Sequence, residues 1–145
     1  MLRSDCNKRR TATGTRADRP YRRRMSTDLR HCLGSLGEAL AAHHLERLGL
    51  TIVARNHHTR WGEIDLIASD GETLVFCEVK TRRSPGRPWD AMHARKQQQV
   101  RRMAAAYLAE VSDRPRRREL RFDAIGVVVD EHGRLVSLDH LEGAF

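Results

Sequence analysis

A chain of 145 residues suits one domain with a hydrophobic core and leaves too little for two. Its formal charge of +8 points to a polyanionic partner, yet nine of the 27 Lys and Arg lie in residues 1–24 against Asp5 and Asp18, so that segment holds +7 and residues 25–145 only +1. No apolar run is long enough to span a bilayer, and Cys6, Cys32 and Cys77 are odd in number and lack paired spacing, which argues against a disulfide framework or zinc knuckle and fits a soluble protein of the reducing cytoplasm.

Residues 1–27 read as a basic N-terminal extension. With almost no apolar side chains it cannot offset the entropy of ordering, and disorder is expected. It lacks the apolar stretch of a secretory signal, and no amphipathic period of a transit peptide runs through it. Two accounts stay open: translation from Met25, with the leader an artefact of start-site choice, or a genuine basic arm.

The domain proper is read as residues 28–145. From Asp28 to Leu48, Leu29, Leu33, Leu36, Leu40, Leu45 and Leu48 recur at helical spacing until Gly49. Gly34 and Gly37 weaken that helix by roughly 1 kcal/mol each relative to Ala, so they are expected to allow a close approach. Thr51 to Arg55 is a short β-rich segment. Gly62 to Ala68 and Thr73 to Lys80 read as the strands of a hairpin around Ser69-Asp70-Gly71-Glu72. After a loop at Ser84 to Pro88, a helix is expected from Trp89 to Val111, striped by Trp89, Met92, Val100, Met103, Tyr107 and Val111, with Lys96 on its inward face. Leu120 to Val129 becomes continuously apolar, as a strand buried on both faces does, and Leu135 to Leu138 adds a short edge strand. This order, α-β-β-β-α-β, predicts an α/β fold with a mixed central sheet flanked by helices.

The chemistry concentrates in the hairpin. Any two- or four-residue loop sets Phe76 or Glu78 opposite Asp65, and the period of two puts Asp65, Glu78 and Lys80 on one face. Asp65 and Glu78 are oxygen donors of the kind Mg²⁺ or Mn²⁺ takes beside phosphate oxygens, with Lys80 facing a scissile phosphate. Glu38 reaches the same ion if the first helix crosses the sheet. The blander alternative is a surface salt-bridge cluster. Arg82, Arg83, Lys96 and Arg101, among other basic residues after the hairpin, are candidates for contacts to a nucleic-acid backbone. Trp61 and Trp89 have faces on which unpaired bases could stack, although Trp89 fits a core position better. The pairs His43-His44 and His57-His58 read as surface positions, and Cys77 as a small core residue.

Gly37-Glu38, Arg55-Asn56, Gly62-Glu63-Ile64-Asp65-Leu66-Ile67-Ala68, Phe76-Cys77-Glu78-Val79-Lys80-Thr81-Arg82, Lys96 and Arg121-Phe122-Asp123 together resemble the YraN family of bacterial proteins over about residues 31 to 145. That family is similar in core topology to the restriction-endonuclease-like PD-(D/E)XK superfamily, which includes archaeal Holliday-junction resolvases. The resemblance implies that Asp65, Glu78 and Lys80 match the superfamily motif and Glu38 its helix-one acid. Ile64 stands where the superfamily's name has proline, and Cys77 where the family more often has valine. The implied activity is Mg²⁺-dependent cleavage of DNA, with branched or structured DNA among the candidate substrates. A homodimer or a protein partner that supplies specificity is compatible with it. The alternative is a catalytically silent nucleic-acid-binding or adaptor protein that keeps the fold.

Overall fold

The structure, a computed structural model, describes residues 19–83 and 94–145. Helix α1 runs over Arg19–Arg47 and starts inside the basic segment expected to lack structure. Arginine is a strong helix former, and residues 19–26 carry no apolar stripe in the sequence, so periodicity could not mark that start. Residues 1–18 lie outside the described residues, as do the Ser84 to Pro88 loop, Trp89 and Met92. The α1 face that meets the sheet is centred on Ala41, Ala42 and Leu45, all fully buried, while Leu29 and Leu48 at the two ends of the leucine stripe stay exposed.

Five strands follow: β1 (Thr51–Thr59), β2 (Gly62–Ser69), β3 (Thr73–Arg82), then helix α2 (Ala94–Glu110), β4 (Glu119–Val129) and β5 (Leu135–Leu141). The sheet keeps them in chain order, antiparallel throughout except for the parallel pair β3–β4. A parallel pair cannot be joined by a hairpin, and α2 lies on the crossover that joins it. Strand β1 extends beyond Arg55 to Thr59, because a two-residue turn at Arg60-Trp61 reverses the chain without the Asn-Gly or Asp-Gly signal that would announce it. Thr59 Oγ1 closes that turn, donating to the Gly62 carbonyl (2.9 Å) and accepting from the Trp61 N–H (3.1 Å). In the β2–β3 turn, Asp70 Oδ1 accepts from Glu72 N–H (2.8 Å) and Thr73 N–H (2.7 Å), the Asx capping that aspartate brings to tight turns.

Each helix covers one face of the sheet. Under α1 lie Leu66, Ala68, Val75, Cys77, Val79, Ile125, Val127 and Val129. Under α2 lie Ile64, Ile67, Leu74 and Phe76, packed on Val100, Met103 and Tyr107 of the expected stripe. Strand β4 is buried continuously from Asp123 to Val129, in line with its apolar run. Cys77 is buried in the core, and burial pushes its thiol well above the ordinary range. No helix among the described residues is long and apolar enough to cross a membrane.

Of the two α1 glycines, one sits at a close approach. A Cβ on Gly37 would stand 1.7 Å from Thr81 Oγ1 and 2.8 Å from Thr81 Cβ, whereas one on Gly34 would meet only Glu38 Oε1 at 4.0 Å. Gly37→Ala is therefore expected to lower stability by about 1–3 kcal/mol through overpacking, and Gly34→Ala to raise it by roughly 0.5–1 kcal/mol through helix propensity. Urea unfolding of the two variants checks the opposite signs.

Candidate functional site

The β2–β3 ladder pairs Ser69 with Leu74 and continues to Leu66 opposite Cys77, where it stops. The next residues in line are Asp65 and Glu78, one of the two pairings the turn allowed. There the strands change character. Leu66 packs under α1 but Ile64, two residues away, packs under α2, so the period of two is broken at Asp65. Strand β1 carries a local irregularity opposite this point. Its pairing with β2 passes from Arg55↔Leu66 to His57↔Ile64, and Asn56 between them adopts φ +49°. Asparagine is one of the few residues with a side chain that visits this left-handed region readily. Asn56 thus stands across from Asp65, whose Oδ2 accepts the Val79 N–H at 2.7 Å.

Glu78 is buried, and both lysines named from the sequence converge on it. Lys80 Nζ lies 2.6 Å and Lys96 Nζ 3.0 Å from Glu78 Oε1. Lys80 is one pleat along β3, while Lys96 comes from the first turn of α2, which accounts for a charged residue on an inward helix face. Asp65 has a different balance. Burial and the neighbouring Glu78 charge, with a smaller push from Glu38, outweigh the Val79 N–H and Lys80 and raise its carboxyl from 3.8 to about 7.

A cavity of about 290 Å³ opens beside Asp65, lined by Glu38, Val79, Lys80, Thr81, Gly34 and Arg30 among others. Glu38 thus reaches the site across the sheet, as expected if α1 packs there. Arg30 was not singled out, though a signal existed: Arg30, Gly34 and Glu38 stand at i, i+4 and i+8 on one line of the helix. Arg82 and Arg83 are exposed at and just beyond the C-terminal end of β3. Arg101 lines a separate depression with Arg95, Gln97 and Gln98, away from the Asp65 cavity.

Among the described residues no group of three or more His, Cys, Asp and Glu side chains is placed to hold a metal ion. Mg²⁺ asks less of a protein: one or two carboxylates, the rest of its octahedron being filled by waters and substrate oxygens. Asp65 and Glu78 fit that requirement in donor chemistry, and a cation would offset the burial and the Glu78 charge that together raise the Asp65 carboxyl. Thr81 Oγ1, buried at the cavity wall, has no hydrogen-bond partner among the described residues, so the site is not internally satisfied.

The histidines depart from the surface reading. His43 and His58 are exposed, but His57 packs edge-on against Tyr107 with ring centroids 4.9 Å apart. His44 Nε2 lies 3.1 Å from His140 Nδ1, and His140 Nε2 lies 2.9 Å from Oδ2 of the fully buried Asp123. Arg121 grips the same carboxylate through Nε (2.9 Å) and Nη2 (2.9 Å), and Gly143 N–H adds a third donor at 3.0 Å. Burial opposes ionisation of Asp123, but the hydrogen bonds from His140, Arg121 and Gly143 win and hold its carboxyl below the usual range. Adjacent histidines gave no hint of this, because the partners lie far along the chain.

Fold and site together define an α/β protein whose central hairpin carries two carboxylates and a lysine, met by a second lysine from α2. By sequence the chain belongs to the uncharacterised protein family UPF0102, whose profile matches residues 37–127 and so spans Glu38, Asp65, Glu78, Lys80 and Lys96. It is 42% identical over 120 residues to the UPF0102 protein of Pelotomaculum thermopropionicum, covering 81% of this chain and 98% of that one. It is 45% identical over 118 residues to the UPF0102 protein of Nocardia farcinica, covering 80% and 91%. With the UPF0102 protein of Acidothermus cellulolyticus the identity is 52% over 83 residues, covering 56% and 63%. The YraN-like motifs read from the hairpin agree with this family.

Two predictions follow from the geometry. Between about pH 4 and pH 7 the folded chain keeps a proton on Asp65 that the unfolded chain has released, so this group destabilises the fold increasingly as pH rises through that window. Asp65→Asn should therefore unfold at higher urea than wild type at pH 8, by on the order of 1–4 kcal/mol, with the difference closing near pH 4. An equal difference at both pH values would contradict the raised carboxyl. At the kink, Asn56→Gly should retain stability, while Asn56→Val should lose roughly 1–2 kcal/mol in the same assay.

Proposed function

We propose that this chain is a metal-dependent phosphodiesterase of the PD-(D/E)XK type, hydrolysing DNA with Mg²⁺ or Mn²⁺ held between Asp65 and Glu78. The observation that carries the reading is the parting of the hairpin. Where the ladder stops, Asp65 turns out of the pleat beside Glu78, and Lys80 and Lys96 close on Glu78 from two different elements. A surface salt-bridge cluster needs neither a buried glutamate nor a kinked strand.

A bound divalent cation would supply an acidified water and neutralise charge on the phosphodiester. The residues of the chain divide the other tasks. Asp65 must lose its proton to bind a cation, so the state competent for cleavage gains population as pH rises through about 7. Lys96, fixed on Glu78 Oε1 at 3.0 Å, holds that carboxylate in position. Lys80, more exposed than Lys96, has room to turn an N–H toward a phosphate oxygen while staying beside Glu78. Glu38 and Arg30 line the cavity from the helix side. Arg82 and Arg83 continue the strand outward as contacts to backbone phosphates.

A second reading is favoured by one observation: Glu78 Oε1 already has two ammonium partners, so the cluster is partly neutralised without any cation. On that reading the chain is a silent nucleic-acid-binding or adaptor protein that retains the fold. Cleavage assays on single-stranded, duplex, flap and four-way DNA with Mg²⁺ or Mn²⁺ separate the two. The enzyme reading expects cutting that EDTA abolishes and that Asp65→Ala and Glu78→Ala each reduce at least 100-fold, a loss of the order seen when one stabilising group is removed from an active site. DNA binding without metal-dependent cutting on any substrate would favour the adaptor.

A further inference from the structure

Beside the carboxylate cluster lies a second surface with a different chemistry. Trp61, at the tip of the β1–β2 turn, is 42% exposed, an unusual setting for the largest apolar side chain. It is not loose. Thr59 closes the turn from one side, and Gln99 Nε2 of α2 donates to the Trp61 carbonyl at 2.9 Å. The next residue, Gly62 at φ +135°, lets the turn press on α2, since a Cβ there would stand 3.0 Å from both Gln99 Nε2 and Met103 Sδ. The guanidinium carbons of Arg60 and Arg102 lie 5.1 and 5.4 Å from the indole centroid, within cation–π range.

Around this ring the exposed face of α2 is basic and amidic. Trp61, Arg95, Gln98, Gln99 and Arg102 line a depression of about 270 Å³, and Arg95 and Gln98 also line the adjoining one of about 440 Å³ with Gln97 and Arg101. Arg95, Gln98, Gln99 and Arg102 stand at i, i+3, i+4 and i+7, one continuous stripe of the helix. Among the described residues neither depression has an acidic residue in its lining. A fixed aromatic face flanked by guanidinium groups and amides, without carboxylates, is the arrangement by which proteins hold unpaired nucleotides: bases stack on indole and guanidinium planes, and phosphates meet the cations. Duplex DNA keeps its base faces stacked on one another and could use only the cations.

The geometry points to this surface as a stacking platform for an unpaired DNA strand next to the carboxylate site. The two are joined through α2, where Arg95 faces the platform and Lys96, the following residue, bonds Glu78. This inference rests on the nucleic-acid reading above and narrows it to substrates with an unpaired segment beside the scissile bond.

The test is fluorescence anisotropy with labelled oligodeoxythymidylate and a blunt duplex of equal length, on the full chain with EDTA present so that nothing is cut. Trp61→Ala should weaken binding of the single strand roughly ten-fold, as expected for loss of one base stack, and leave the duplex within two-fold. Trp61→Phe should restore most of the loss, which a merely structural effect of the turn would not predict. Equal single-strand affinity of wild type and Trp61→Ala would overturn the platform, and so would an equal loss for both ligands. With EDTA present the binding readout does not depend on whether the wild type cleaves. A failed nuclease reading therefore shows in the cleavage assay alone, and a failed platform in the anisotropy alone.

Discussion

The hydrogen bond from the Val79 N–H to Asp65 Oδ2 is the constraint on which the site depends. A β-hairpin left to itself satisfies backbone donors with backbone acceptors and keeps its side chains on alternate faces. Here a carboxylate takes the donor, the ladder ends, and Asp65 is held half-buried beside Glu78, where its own charge is disfavoured. The strain in that arrangement is electrostatic, and the surrounding core is what sustains it. Val79 and Leu66 are packed beneath α1 and Ile64 beneath α2, so the strands cannot close up again without uncovering both.

Much of this was legible in the sequence, and what was missed has identifiable causes. The helix period placed Lys96 inward, and the turn at Asp70 limited the partner of Asp65 to two residues, of which the structure selects Glu78. Gly37 was rightly read as a close approach and Gly34 was not, because a glycine in a helix signals absence of a side chain without saying whether packing or an open cavity requires it. The left-handed Asn56 escaped notice because one residue with positive φ leaves no periodic trace. The start of α1 escaped because its early turns carry no apolar stripe. The buried Asp123 group could not be foreseen at all, since His44, Asp123 and His140 meet only through the tertiary fold.

Helix α2 ties together features that look separate along the chain. One side of it packs Val100, Met103 and Tyr107 on the sheet, its first turn sends Lys96 to Glu78, and its outer stripe meets Trp61. The crossover needed to make β3 and β4 parallel therefore also brings a cation to the acidic cluster and a basic face to the aromatic turn. A hairpin would have made those strands antiparallel and supplied neither.

The contact between His44 and His140 carries a further consequence for the proton balance of the molecule. His140 Nε2 faces Asp123, so its Nδ1 and His44 Nε2 must share a single hydrogen between them. Burial, then the charges of His140 and Arg47, already hold His44 below its ordinary value, and an unfolded chain would take up the missing proton as the pH falls below about 6.5. If both imidazoles became doubly protonated, two N–H groups would point at one another. Acidification thus acts on the seam between α1 and β5, on the opposite edge of the sheet from the kinked strand, and loosens the fold at a place away from Asp65 and Glu78.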